Sequence, residues 1–359
     1  MTRRFSILTF SLFFAFACAT GGPSRGRDDS AAGTPATRYS SEAGSTPVGV
    51  IPDASLRDAR RGRDVGLTID YPTSAGPHPL IIFSHGYGAT GRAYVGLSSH
   101  WASNGYVVVK PTHAGDTNVR LADLTPADFR DRVADITFVL DSLDALEQKY
   151  PELQGKIDRA KIGVAGHSLG ALTAMLLAGT KTFPGGTSYA DPRVKAVIAM
   201  SPQGPRESWG LTNESWRDVH VPVLYMTGDR DQGIDESETP EWRRQAFELS
   251  AAGDKWLAFI AGAGHLAFTG RLGVMPEDTR RVSVPSLPNT HPDPFNPPVP
   301  ANEQQRSRAQ VMSDPVRAVS GTIKALSLAF WDAYLRGDAA GREQLEKAGE
   351  RGGVEVKKK

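Results

Sequence analysis

The sequence predicts an α/β fold, a mostly parallel central sheet flanked by helices, and two observations carry that prediction. From about residue 50 onward, short continuous apolar runs alternate with amphipathic segments. Strands buried on both faces read as such runs, and the helices between them make the crossovers of a parallel sheet. The second observation is the stretch Gly163-Val164-Ala165-Gly166-His167-Ser168-Leu169-Gly170. There an apolar strand passes through a glycine-rich turn straight into the strong helix former of residues 171–178. The chain has 359 residues, 40% hydrophobic and 23% charged, which is enough for one large domain. Its net charge of +1 gives no electrostatic footprint for a nucleic-acid partner.

The N-terminal residues read as export machinery. Arg3 and Arg4 precede the apolar run 5–16, which is too short to span a membrane, and Ala15-Phe16-Ala17 offers a small-residue cleavage site. Residues 1–17 are therefore expected to be a signal peptide. Cys18, the single cysteine, follows directly and makes the region resemble a bacterial lipoprotein signal, with Ala15 where such signals usually carry leucine. The expectation is a lipidated Cys18 and a membrane-anchored protein facing the periplasm or cell surface; cleavage after Ala17 and secretion is the alternative. Residues 18–48, rich in Gly, Ser, Thr, Ala and Pro, are expected to be a flexible tether. One cysteine allows no intramolecular disulfide.

The folded domain is expected over 49–345. Residues 65–71 alternate like an early, partly exposed strand ended by Pro72, and 80–83 and 106–109 are continuous apolar runs of central-strand type. Residues 129–150 form the clearest amphipathic helix, with Val133, Ile136, Val139, Leu140, Leu143 and Leu146 on one face and Asp and Arg on the other. Strands follow at 162–165, 194–200, 221–226 and 256–260, with a helix near 240–251. A proline-rich insertion at 275–313 breaks the rhythm, residues 315–335 read as a last amphipathic helix, and 346–359 as a disordered basic tail.

Gly166-His167-Ser168-Leu169-Gly170 spells G-x-S-x-G in the strand–turn–helix context of a nucleophile elbow. A serine hydroxyl is a weak nucleophile until a base takes its proton and a carboxylate holds that base. In this order the acid and the histidine should each follow a later strand. Asp231 lies just beyond the strand at 221–226 and is the expected acid, with Asp229 as runner-up and Asp235 third. The three aspartates do not make a calcium loop, because Gly233 and Ile234 stand where a ligand and a glycine belong. Of the eight histidines, His265 sits in a glycine-rich loop after the strand at 256–260 and is the expected general base. The turn Ser84-His85-Gly86-Tyr87-Gly88 follows a central strand, so the backbone N–H groups of Tyr87 and Leu169 are the expected oxyanion donors. His85 reads as a histidine that braces this loop.

With these motifs in order, the chain resembles the serine-dependent α/β-hydrolase superfamily, in the branch of dienelactone-hydrolase-like, chlorophyllase-like and platelet-activating-factor-acetylhydrolase-like proteins. The resemblance covers roughly residues 55–340 and includes Gly105-Tyr106-Val107-Val108-Val109 and Pro111-Thr112-His113-Ala114-Gly115-Asp116. It implies an α/β-hydrolase fold and carboxylic ester hydrolysis through an acyl-enzyme, with a small-molecule or lipid ester as substrate and no metal or organic cofactor. Dienelactone hydrolases proper use cysteine where this chain has Ser168. Cutinase-like polyester hydrolases usually have methionine where this chain has Leu169, and a disulfide it cannot form, so polyester cleavage is not favoured. Lipid, amide and thioester substrates stay open, as does a binding module on the same scaffold.

Overall fold

The structure is a computed structural model that describes residues 39–114, 123–233, 237–269 and 314–359. The expected signal peptide 1–17, Cys18 and the proline-rich segment 275–313 lie outside the described residues, as does Asp235.

In chain order the strands and helices are β1 (Val48–Asp58), β2 (Arg63–Pro72), β3 (His78–Ser84), α1 (Val95–Ser103), β4 (Val107–Thr112), α2 (Pro126–Asp141), α3 (Leu143–Lys149), β5 (Ile157–His167), α4 (Leu169–Ala178), β6 (Val194–Met200), β7 (Val223–Arg230), α5 (Pro240–Leu249), β8 (Lys255–Gly264), α6 (Asp314–Trp331), α7 (Ala339–Lys347) and β9 (Val354–Lys358). The nine strands form one sheet in the order β1-β2-β4-β3-β5-β6-β7-β8-β9. Strands β4 through β8 are mutually parallel, while β1, β2 and β9 pair antiparallel at the two sides. The fold is that of an α/β-hydrolase.

Strand periodicity sends alternate residues to opposite faces. Leu80, Ile82, Val107, Val109, Ile162 and Val164 enter one core layer, with residues of α2, α3 and α4. Ile81, Phe83, Val108 and Ala165 enter the other, with α1 and α6. The chain leaves β3 for β4 on one side and then places β5 on the other, so the strand order reverses at β3/β5. In open α/β sheets, the crevice beyond the carboxyl ends of such strands is where ligands bind.

Four expectations are corrected. The tail is not disordered: residues 354–358 pair with β8, matching Ile260 to Val354 and Trp256 to Lys358. Valines at 354 and 356 let this short basic segment close the sheet edge, and its lysines suit an exposed edge. The tether ends before 48, because Tyr39 is buried and Gly44 N–H donates to Ser103 Oγ at 2.8 Å. The long helix at 129–150 is two helices parted at Ser142, where the polar run Asp141-Ser142 competes with helical backbone bonding. Finally, Arg132 and Asp135 of α2 are buried and not on the solvent face. Asp135 pairs with Arg61 at 2.7 Å and with Arg63, and its Oδ2 accepts from His113 Nδ1 at 2.8 Å, while Arg132 donates to Thr173 Oγ1 at 3.1 Å and to the His85 carbonyl, so both buried groups are hydrogen-bonded in place.

Candidate active site

Ser168 stands at the junction of β5 and α4 with φ 54° and ψ −122°. A non-glycine residue at positive φ is strained, and such strain persists only where the surroundings over-determine it. Here they do. Ser168 N–H donates to Met200 O of neighbouring β6 at 2.9 Å, while Ala171 N–H donates back to Ser168 O at 2.8 Å. A Cβ on Gly166 would overlap the Gly170 carbonyl, and one on Gly170 would overlap the Ser84 carbonyl at the end of β3. The two glycines let strand, helix and the β3 loop pass at backbone contact.

Strands β7 and β8 deliver the partners. His265 Nε2 lies 3.0 Å from Ser168 Oγ, and His265 Nδ1 lies 2.9 Å from Asp231 Oδ1. Ser168 and His265 are partly exposed, whereas Asp231 is fully buried. Burial alone would raise the Asp231 carboxyl, but the hydrogen bond from His265 and the charge of Arg243 hold it below the usual carboxylate range. Asp231 Oδ2 also accepts from Thr227 Oγ1 at 2.8 Å. Asp229 is exposed and accepts from Gly262 N–H at 2.6 Å, facing away from His265. The geometry thus joins Ser168, His265 and Asp231 and leaves Asp229 hydrogen-bonded to the end of β8.

The loop after β3 lies against the elbow. Ala89 N–H donates to Gly86 O at 3.2 Å, which makes a tight turn with Tyr87 inside it. Leu169 opens α4, and its N–H makes no backbone hydrogen bond among the described residues, as expected at a helix start. His85 braces the loop: its Nε2 accepts from His113 N–H at 3.0 Å, so its Nδ1 carries the proton and donates to Gly86 O at 2.8 Å. Burial, then the charges of Arg132 and His113, push His85 well below its ordinary value and keep it neutral.

Several residues at the site carry no sequence signal strong enough to single them out. Arg243 of α5 is fully buried; its Nε lies 3.1 Å from Asp231 Oδ1, and its Nη2 lies 3.0 Å from Glu238 Oε2. Arg132 donates to the His85 carbonyl, and Ser84 Oγ lies 2.9 Å from His113 Nε2. The second residue of the elbow motif, His167, bridges to Tyr94 and to the backbone of His265. No group of three or more His, Cys, Asp or Glu side chains gathers to hold a metal among the described residues.

Residues 44–204 match the chlorophyllase family model. The chain is 31% identical over 192 residues to the cutinase est1 of Thermobifida alba, covering 53% of this chain and 54% of that one. It is 27% identical over 237 residues to the cutinase cut1 of Thermobifida fusca, covering 64% and 65%. It is also 31% identical over 171 residues to a bis(hydroxyethyl) terephthalate hydrolase of Streptomyces coelicolor, covering 46% and 44%. The chain therefore spans less than two thirds of the length of these relatives.

Proposed function

This chain belongs to the serine α/β-hydrolase superfamily, and on that premise we propose that it hydrolyses carboxylic esters through an acyl-enzyme. The observation that carries the reading is the unbroken path from Ser168 Oγ through His265 to the buried Asp231 carboxylate, at 3.0 and 2.9 Å. Ser168 Oγ attacks the ester carbonyl as its proton passes to His265 Nε2. Asp231 holds the Nδ1 proton of His265 and stabilises the imidazolium. The N–H groups of Tyr87 and Leu169 receive the oxyanion, the second aided by the positive end of α4. The tetrahedral intermediate collapses as His265 returns the proton to the leaving alcohol. Water, deprotonated by the same imidazole, then attacks the acyl-serine and releases the acid.

A specific observation brings one substrate class forward: relatives named as cutinases and as a terephthalate ester hydrolase. Leu169 and the single cysteine set the chain apart from the usual cutinase-like pattern. An aryl or polyester substrate is nevertheless the second reading.

The deciding experiment compares wild type with Ser168→Ala on p-nitrophenyl esters from acetate to palmitate, with bis(hydroxyethyl) terephthalate in parallel. Wild-type turnover that falls at least about a thousandfold in the variant is expected. Equal background rates in two folded proteins would overturn the reading and favour a binding module on this scaffold.

We further propose export by residues 1–17 and lipidation at Cys18, supported by the sequence pattern alone. Palmitate labelling that survives in Cys18→Ala would refute the anchor.

A further inference from the structure

Two residues that the proposed chemistry does not use connect its two halves. Gly86 N–H, one residue before the expected oxyanion donor Tyr87, donates to Tyr94 Oη at 3.0 Å. Tyr94 Oη lies 2.9 Å from His167 Nδ1, and His167 Nε2 lies 2.9 Å from the carbonyl oxygen of His265. The proton on each link is fixed by chemistry. A carbonyl only accepts, so His167 Nε2 carries a hydrogen. His167 is buried, and burial followed by the neighbouring charge of His265 holds it well below its ordinary value, so the ring is neutral and Nδ1 accepts. Tyr94 must then donate to Nδ1 while accepting from Gly86; burial raises its hydroxyl to about 12, so it keeps its proton. The chain runs in one direction, from the Gly86 N–H to the His265 carbonyl, with every member satisfied.

We propose that Tyr94 and His167 are positioning residues which, through this hydrogen-bond chain, hold the oxyanion loop and the general base in fixed register with the nucleophile.

Three further features support this. Tyr94 sits at the start of α1 with φ 65° and ψ 24°, a left-handed conformation that a bulky aromatic residue rarely adopts. Observed strain of this kind points to a function that the fold preserves. Gly86 meets the pair at close range: a Cβ there would lie 3.2 Å from Tyr94 Oη and 3.3 Å from His167 Nδ1, tighter than ordinary contact. Glycine, strained tyrosine and elbow histidine thus converge on one point. The His167 ring also lies 4.7 Å, centroid to centroid, from His265, so the base is held by its ring neighbour as well as its backbone.

The inference rests on the ester-hydrolase reading, and its test separates the two. Turnover of a p-nitrophenyl ester is measured for wild type, Tyr94→Phe, His167→Ala and the double variant, with Ser168→Ala as blank and thermal melting as a check of folding. Tyr94→Phe removes one oxygen and is expected to lower kcat roughly 10- to 100-fold with KM within about twofold, because the lost alignment is felt in the transition state. His167→Ala should lose about as much, and the double variant little more than the larger single loss, since both break one chain. A trifluoromethyl ketone inhibitor should weaken by the same factor as kcat/KM. His167→Gln, whose amide can still donate to His265 O, should recover part of the loss, and it carries the test if Tyr94→Phe does not fold. A kcat within twofold of wild type in folded variants, a loss in KM alone, or losses that simply multiply would overturn the proposal. A wild type with no Ser168-dependent turnover would instead overturn the ester-hydrolase reading.

Discussion

Arg243 Nε lies 3.1 Å from Asp231 Oδ1, the same carboxylate oxygen that faces His265 Nδ1 at 2.9 Å. Both partners are fully buried, and Arg243 also donates to the Asp231 carbonyl at 3.0 Å. Burial alone would push this carboxylate toward its neutral form, and the His265 hydrogen bond and the charge of Arg243 together oppose that. Arg243→Met should therefore leave the buried Asp231 carboxylate without its cation and cost about 3–5 kcal/mol of stability. The Asp231 carboxyl should rise, moving the acid limb of kcat/KM to higher pH. A pH–rate profile superimposable on wild type would show that Arg243 serves the fold alone.

The two aspartates at the end of β7 should behave differently. Asp231→Asn is expected to cost about 10³–10⁴ in kcat, because the asparagine favours the wrong imidazole tautomer. Asp229→Asn, which alters a brace to Gly262 N–H, should stay within about threefold. Steady-state kinetics on one ester separates them, and reversed magnitudes would move the acid to Asp229.

Acid should destabilise the protein before its carboxylates titrate. Burial lowers the folded-state values of His85, His113 and His167 well below 6.5, and that of His100 to about 4. The folded chain holds these rings neutral while the unfolded chain takes up protons near pH 6.5, so stability is full above that pH and is lost below it. The slope should approach about 1.4 kcal/mol per pH unit for each such histidine. Urea melts at pH 7.5, 6.5 and 5.5 would test this; a free energy of unfolding that is flat across the series contradicts it.

Removing residues 352–359 deletes β9 and bares the edge of β8, the strand that ends at Gly264 beside His265. The melting temperature should fall by roughly 5 °C or more, with kcat reduced as the base loop loosens. An unchanged melting temperature would mean that the tail contributes nothing to the sheet.

Much of this protein was legible in its sequence because the signals are local. Alternating or continuous apolar runs give the strands, and residues 194–200 form a strand with the expected bounds. The glycine spacing around Ser168 can be read locally, because Gly166 clears the Gly170 carbonyl within the same turn, although Gly170 also clears the Ser84 carbonyl at the end of β3. Chain order places Asp231 after β7 and His265 after β8, and the sheet topology sets those two strands side by side.

What the sequence alone could not decide depended on which polar groups meet across the fold. Asp229 lies near the end of β7 and Asp231 just beyond it, and only the turn of the chain at that strand end sends one to Gly262 and the other to His265. Tyr94 and His167 are separated by 73 residues, and His167 from the His265 carbonyl by 98, so no periodicity announces their contact. Arg132 and Asp135 look like a solvent face by composition, yet Asp135 meets Arg63 at the start of β2 and Arg61 just before it, and Arg132 finds Thr173 and the His85 carbonyl. Hydrophobic pattern fixes where a chain is buried. Pairing buried charges and hydrogen-bonding groups is a long-range condition that only the folded arrangement satisfies.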